Sequence, residues 1–252
     1  MSLVETIVHG QVAELRLTRA PVNALNPELC EDLKHALGSA VATGARGIVL
    51  AGGPKVFSAG LDVPYLLSLG EDQAALLQAW TAFFDAARAL IACPVPVVAA
   101  MAGHAPAGGC VLALCCDYRI MADGPYRIGL NETQVGLVAP EGIQSLMARV
   151  VGAHRAERLL VAGAMVDSAE ALRIGLVDEL TGIDDVATRA RVWLEELLQL
   201  PYKPMLETRR IARLDAVATL QPDRIDLSRF VARWAEPDTQ TALRAMLARI
   251  GK

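Results

Sequence analysis

Two glycine-containing turns and one glutamate are the residues of this sequence best suited to catalysis. The turns lie at residues 57–62 (FSAGLD) and 106–110 (PAGGC), each after an apolar run, and Glu132 follows downstream. Where a helix starts directly after a strand, its first N–H groups lack acceptors and attract a ligand oxygen. We expect Gly108, whose missing side chain allows close approach, and Ala59 to contribute one N–H each. Two fixed donors on one carbonyl oxygen stabilise an enolate.

Glu132 is the predicted acid/base beside these donors. Leu130, Val135 and Leu137 flank it in the sequence. The loss of solvation among apolar neighbours raises the pKa of a carboxyl toward the range useful for a general base. The alternative, which the periodicity alone favours, is a surface glutamate that caps a turn.

Other catalytic groups are weaker candidates. Ser58 lacks the preceding glycine of the G-x-S-x-G hydrolase motif. Cys110 lies near a helix start and near His104 in the sequence, so a thiolate pair is conceivable, although a packed cysteine is the commoner case. The other three histidines have no spacing typical of metal ligands, and we predict no metal site.

Composition and charge exclude several classes of protein. The net charge of −4 and the absence of a long basic patch argue against nucleic acid as a partner. The densest basic stretch is Arg209, Arg210 and Arg213, which is either the solvated side of a helix or a contact for an anionic ligand. Five cysteines without a C-x-x-C motif favour a reducing compartment over a disulfide framework. With no signal-peptide pattern and no apolar run long enough to span a bilayer, we expect a soluble, cytoplasmic protein without a membrane partner.

The first half of the chain alternates short apolar strands with helices. The hydrophobic spacing predicts strands at 12–17, 48–50, 95–101 and 118–121, and helices at 28–41, 74–92 and 109–116. This order favours an α/β fold with strands buried on both faces. After Gly142 the pattern is almost wholly helical. We therefore predict a core domain at residues 1–195 and a C-terminal helical lid or oligomerisation region at residues 196–252.

Several motifs resemble, in order, the crotonase (enoyl-CoA hydratase/isomerase) superfamily over residues 15–177. They are VNAL at 22–25, FSAGLD at 57–62, AGG at 107–109, CDYRI at 116–120 and GAHRA at 152–156. A narrower resemblance, in residues 116–123 and 128–140, is to the mitochondrial type of Δ3,Δ2-enoyl-CoA isomerase. The resemblance implies a repeated ββα spiral core, homotrimers or hexamers, and coenzyme A thioester substrates, with no separate cofactor because coenzyme A is part of the substrate.

The resemblance also assigns roles to individual residues. Ala59 and Gly108 become the oxyanion-hole donors and Glu132 the acid/base, while Asn131 lines the acyl pocket. The backbone of the first turn is expected to hold the adenine and pantetheine of coenzyme A, through Ala59, Gly60, Leu61, Asp62 and Val63. Glu141 is either a second acid facing the acyl chain or a charge at a helix N-terminus.

Val111 decides which reaction the resemblance implies. Hydratases of the superfamily use two glutamates to activate water, and the first of them falls on Val111. A single base that moves a proton from C2 to C4 needs no water. The resemblance therefore implies a Δ3,Δ2-enoyl-CoA isomerase of fatty-acid β-oxidation. The alternatives are another crotonase reaction that uses Glu141 with Glu132, such as hydration, decarboxylation or thioester hydrolysis, and a non-catalytic acyl-CoA-binding protein.

Overall fold

The computed structural model describes residues 2–249 and has a mixed sheet surrounded by helices. The strands are β1 (Val4–His9), β2 (Val12–Leu17), β3 (Gly47–Ala51), β4 (Val97–Met101), β5 (Ala105–Pro106), β6 (Tyr118–Ala122), β7 (Arg127–Gly129), β8 (Val166–Asp167) and β9 (Glu179–Thr181). The main sheet has the order β1-β2-β3-β4-β6-β9, and a second sheet has the order β5-β7-β8. In the main sheet only β1 and β2 pair antiparallel.

Twelve α-helices surround these sheets within the described residues. They are α1 (Pro27–Ala42), α2 (Val63–Ser68), α3 (Gln73–Ile91), α4 (Gly108–Cys115), α5 (Glu141–Val151), α6 (Ala153–Ala162), α7 (Ser168–Arg173), α8 (Val186–Leu197), α9 (Tyr202–Ala212), α10 (Leu214–Thr219), α11 (Leu227–Trp234) and α12 (Pro237–Arg249). Short 3-10 turns lie at Glu132–Val135, Ile183–Asp185 and Pro222–Arg224. The α/β class and the positions predicted for the strands and helices of the first half are confirmed.

The central strands are apolar throughout because helices cover both faces. In β3, Ile48 and Leu50 join the large core, whereas Val49 packs in a second cluster against α8 residues such as Leu194. Every residue of β3 and β4 is buried. Such strands lose the alternation of a half-exposed sheet and appear as continuous hydrophobic runs.

Two of the three clustered arginines do not lie on a solvated helix face. Arg209 donates to both carboxylate oxygens of Asp117 at 2.8 Å. Arg213 lies 3.1 Å from the same carboxylate and donates to the Cys115 carbonyl at 2.6 Å. Among these three arginines, only Arg210 is solvated, as the pattern suggested. Arg209 and Arg213 therefore attach α9 and the residue before α10 to the start of β6.

The C-terminal helices pack against the core. The predicted domain boundary after residue 195 falls inside α8, and the division into two domains stays a prediction. Helix α11 packs against α3, and α12 packs against the 3-10 turn at Glu132–Val135. Within residues 2–249, no helix is long and apolar enough to cross a membrane.

Candidate active site

A cavity of about 450 Å³ lies where α2, α3 and α4 meet the C-terminal helices. Most of its wall is aliphatic or aromatic, and residues from both predicted regions contribute to it. Its apolar lining includes Leu66, Trp80, Phe83, Phe84, Val111, Val135, Leu137, Ile143, Phe230, Trp234, Leu243 and Met246. A few polar groups converge on this apolar space, as in most small-molecule sites.

In the first glycine turn, the N–H of Leu61 is free among the described residues, whereas the N–H of Ala59 is hydrogen-bonded. Ala59 donates its N–H to the Val22 carbonyl at 2.9 Å, so the prediction that Ala59 is an oxyanion-hole donor is wrong. On either side of Leu61, the Gly60 carbonyl accepts from Leu25 and Asp62 donates to Leu25. The Leu61 N–H has no acceptor among the described residues, and Leu61 lines the cavity.

Hydrogen bonds and an ion pair from side chains hold the first glycine turn in place. Asn23, with a φ of 50°, donates from its side chain to the Phe57 carbonyl at 3.0 Å, and Ser58 donates its hydroxyl to the Asn23 carbonyl at 2.8 Å. Arg19 binds Asp62 at 2.6 Å. Asp62 also caps α2 by accepting the Tyr65 N–H, so its carboxylate has a structural role.

The second turn presents the free N-terminus of α4. Ala107 has a φ of 46°, a conformation that costs free energy in a residue with a side chain. Val111 donates its N–H to the Ala107 carbonyl. The N–H of Gly108, at the start of the helix, has no acceptor in the part of the chain described. A Cβ added at Gly60 would lie 3.0 Å from the Gly108 nitrogen, so the two turns are in direct contact. Gly108 and Leu61 therefore bring two unused N–H groups to the same cavity wall.

Glu132 lies at the start of the 3-10 turn and lines the cavity, beside Asn131. Its Oε2 is buried and has no hydrogen-bond partner within residues 2–249. Burial raises the pKa of this carboxyl from 4.5 to about 7, against a smaller lowering by a backbone hydrogen bond. The prediction of a desolvated glutamate is confirmed, and the exposed turn cap is excluded. A carboxyl with this pKa can exchange protons near neutral pH.

Position 111, where the hydratases of the superfamily carry their first glutamate, is a valine in this chain. Val111 is buried in α4 and lines the cavity. The other acidic residue on the cavity wall, Asp62, is held by Arg19. Among the described residues, Glu132 is thus the one cavity carboxylate without a cationic partner.

Glu141 does not face the cavity, which corrects the prediction that it binds the acyl chain. Its side chain is 69% exposed and forms an ion pair of 2.6 Å with Arg224. It lies in the first turn of α5 and borders a separate surface cleft. The alternative interpretation, a charge at a helix N-terminus, is the correct one.

The cysteine alternative also fails. Cys110 is fully buried, and burial raises the pKa of its thiol, opposite to the shift that activates a nucleophile. The Nδ1 of His104 accepts the Arg127 N–H at 3.0 Å instead of facing that thiol.

Sequence reasoning placed Leu61 among the coenzyme A contacts but missed its free N–H, and it missed the particular C-terminal residues of the wall. Trp80 packs edge-on against Phe230, with ring centroids 4.3 Å apart, and against Trp234 at 6.0 Å. Phe230 and Trp234 are four residues apart, so both lie on one face of α11. That spacing was a signal for an apolar face, although it did not show which cavity the face covers.

Known proteins are similar to this chain in sequence and structure over most of its length. The Enoyl-CoA hydratase/isomerase family matches residues 8–219. Mitochondrial enoyl-CoA delta isomerase 1 of Mus musculus is 34% identical, over 98% of this chain and 86% of the relative. A probable enoyl-CoA hydratase of Mycobacterium avium is 35% identical, over 83% of this chain and 80% of the relative.

Among solved structures, the human mitochondrial delta3-delta2-enoyl-CoA isomerase has a TM-score of 0.92 at 33% identity, over 98% of both chains. An enoyl-CoA hydratase from Bacillus halodurans has a TM-score of 0.87 at 23% identity, which supports the fold alone. The predicted crotonase-type spiral core with C-terminal helices is confirmed by these matches. With the family matched over most of the chain and relatives this similar, the protein is an enzyme that belongs to the enoyl-CoA hydratase/isomerase family.

Proposed function

We propose that this enzyme is a Δ3,Δ2-enoyl-CoA isomerase that converts a 3-enoyl-CoA to the 2-trans isomer in fatty-acid β-oxidation. The observation that carries the proposal is that, within residues 2–249, Glu132 is the one unpaired carboxylate of an apolar cavity that also contains two unused backbone N–H groups. The similarity to mouse and human isomerases supports it.

The two backbone donors would hold the thioester carbonyl. In the proposed complex, the N–H groups of Leu61 and Gly108 both donate to the carbonyl oxygen, which carries negative charge when a proton leaves C2. Donors fixed by the fold need no reorganisation as that charge develops, and removing one such donor in other enzymes costs about a hundredfold to a thousandfold in rate. The backbone of residues 59–63 is proposed to hold coenzyme A, with the Asp62 carboxylate reserved for Arg19.

Glu132 would carry the proton between two carbons. Its carboxylate removes a proton from C2, and the C–H electron pair forms a dienolate on the carbonyl oxygen. The protonated Glu132 then returns that proton to C4 as the double bond moves to C2–C3. Atoms and charge balance without water, and the carboxylate is regenerated.

Hydration is the second candidate, because hydratases are among the relatives. Holding and activating a water molecule with two carboxylates would need an acid near Glu132. Val111 is apolar, Asp62 is neutralised by Arg19, and Glu141 lies outside the cavity. These positions favour isomerisation.

The test uses matched glutamate variants. We expect the purified enzyme to convert 3-hexenoyl-CoA to the conjugated 2-enoyl thioester, followed by absorbance, with hydration monitored in parallel. Glu132→Gln removes the base and should lower kcat by about a thousandfold with little change in affinity for the thioester. Glu141→Gln, on the exposed ion pair, should behave like the wild type.

Three outcomes contradict the proposal. Hydration of a 2-enoyl-CoA faster than isomerisation would favour the hydratase. Binding of coenzyme A esters without turnover of any of them would favour a binding protein. Equal losses of kcat in Glu132→Gln and Glu141→Gln would show that Glu132 is not the base.

Trimeric or hexameric assembly and a cytoplasmic location stay predictions, and the mouse and human relatives carry mitochondrial names.

A further inference from the structure

The 3-10 turn that carries Glu132 is anchored on one side by α6. Thr133 donates its hydroxyl to the Leu160 carbonyl at 3.2 Å, and Gln134 donates its amide to the Gly163 carbonyl at 2.8 Å. A Cβ added at Gly163 would lie 2.6 Å from the Thr133 hydroxyl, so α6 and the turn are closely packed. These contacts hold the middle of the turn.

The end of the same turn is anchored by α12. Thr239 is buried, with 1% of its surface exposed, and its hydroxyl donates to the Gly136 carbonyl at 3.0 Å. Gly136 ends the turn in the left-handed region, at a φ of 74°. A Cβ at Gly136 would lie 3.0 Å from the Thr239 hydroxyl oxygen, so no side chain separates helix and turn.

This anchor is linked to the glutamate through backbone hydrogen bonds. Gly136 donates its N–H to the Thr133 carbonyl at 3.3 Å, and Leu137 donates to the Glu132 carbonyl at 3.0 Å. Both bonds close the turn around the residue whose carboxylate must reach the substrate. A shift at Gly136 therefore changes the position of Glu132.

The face of α12 that holds the turn also forms part of the cavity wall. Leu243 and Met246 follow Thr239 by four and seven residues and line the cavity. Side chains at this spacing lie on one face of a helix. One helical face thus contacts both the space proposed for the acyl chain and the turn that carries the base.

We infer that Thr239 is a positioning residue for the reaction: its hydroxyl couples the acyl-pocket wall formed by α12 to the position of Glu132. The inference rests on the proposed role of Glu132 as the base. Thr239 is buried and does not line the cavity, so the inference gives it a role through Glu132 and none in direct contact with substrate. Its loss should affect the proton-transfer steps more than the binding of the thioester, because productive geometry tolerates only small displacements.

The experiment compares threonines on the same helix. Thr239→Val removes the donor and should lower kcat for 3-hexenoyl-CoA about tenfold, with KM changed by less than about twofold. Thr239→Ser keeps the hydroxyl and should restore kcat to within about twofold of the wild type. Thr241→Val is the matched control, because Thr241 is exposed and donates within α12 to the Pro237 carbonyl.

Each result decides the inference. If Thr239→Val is folded and retains wild-type kcat, or if kcat falls equally in Thr241→Val, the inference is wrong. If Thr239→Val does not fold, Thr239→Ala removes the same donor without adding bulk, and the same kcat and KM criteria apply. A wild type that isomerises nothing contradicts the proposed function instead, so the two failures are distinguishable.

Discussion

The most consequential residue is Glu132, whose Oε2 is buried without a hydrogen-bond partner among the described residues. Desolvation raises the pKa of Glu132 from 4.5 to about 7. The pKa of this carboxyl is therefore higher in the folded than in the unfolded state. Its contribution to the free energy of unfolding is fully present below pH 4.5 and is lost as the pH rises through about 7. The ionised base therefore destabilises the fold under the conditions in which it is useful, a cost typical of catalytic groups.

The pH dependence of the rate is the prediction at this scale. Only ionised Glu132 can accept the C2 proton, so kcat/KM should fall as the pH drops through about 7 and level off above it. The profile is measured with 3-hexenoyl-CoA from acidic to mildly alkaline buffers, with circular dichroism confirming that the protein stays folded. Glu141→Gln should keep the same profile, and a limb near 4.5 would show that Glu132 is solvated.

Single residues were predictable only as far as the motif around them could be recognised. Periodicity alone favoured a surface glutamate at position 132, and the resemblance of the surrounding motif predicted Glu132 as the acid/base. Its sequence neighbours Val135 and Leu137 line the same cavity. The donor on the first turn was misassigned, because which N–H is free depends on the pairing of Leu25 with Gly60 and Asp62. That pairing joins segments more than thirty residues apart and leaves no local pattern.

At the scale of elements, the two glycine turns work as one unit because their backbones touch. A Cβ at Gly108 would lie 3.0 Å from Leu25 Cδ1 and 3.3 Å from both Gly60 Cα and Phe83 Cε2. These distances require the neighbours to shift by a few tenths of an ångström. Such a shift moves the two proposed donors relative to each other.

Gly108→Ala should therefore lower kcat by about tenfold to a hundredfold, with the protein still folded. The measurement is isomerase kinetics beside thermal denaturation. Gly38→Ala is the matched control, since nothing lies within 4 Å of a Cβ there and alanine favours the interior of α1. A Gly108→Ala enzyme with wild-type kcat would contradict the assignment of this turn.

Elements were predictable when a long hydrophobic pattern specified them. The strands and helices that were predicted up to residue 121 lie at their expected positions because each has a clear hydrophobic pattern, whereas the short elements α2 and β5 were not predicted. The short strands β8 and β9, of two and three residues, were not predicted. Their identity comes from pairing with β7 and β6, and a run of that length carries no periodicity.

For the whole molecule, the important feature is that the C-terminal helices complete the cavity whose chemistry begins in the first half. Phe230, Trp234 and Leu243 line the same cavity as the glycine turns. The sequence predicted a helical C-terminal region, but not where it docks, because the docking depends on a few polar contacts. The basic cluster that seemed to mark a surface is one of those contacts.

Asp117 is the centre of this attachment, and its removal is the prediction at this scale. Its carboxylate accepts from Arg209 at 2.8 Å and from the Val97 N–H at 2.8 Å, and it lies 3.1 Å from Arg213. Asp117→Ala leaves two largely buried guanidinium groups without their partner, which costs about 3–5 kcal/mol. For a chain of this size that lowers Tm by roughly 6–20 °C.

Glu207→Ala separates this effect from a general loss of charge. Glu207 pairs with Arg210 on the same helix, but both side chains are about 60% exposed, so removal of this pair should leave Tm unchanged. Hydrogen exchange should further show that Asp117→Ala increases exchange first in α9 and α10, before the central strands. Equal Tm values for the two variants would mean that apolar packing alone attaches the C-terminal helices, because the ion pairs would then contribute nothing measurable.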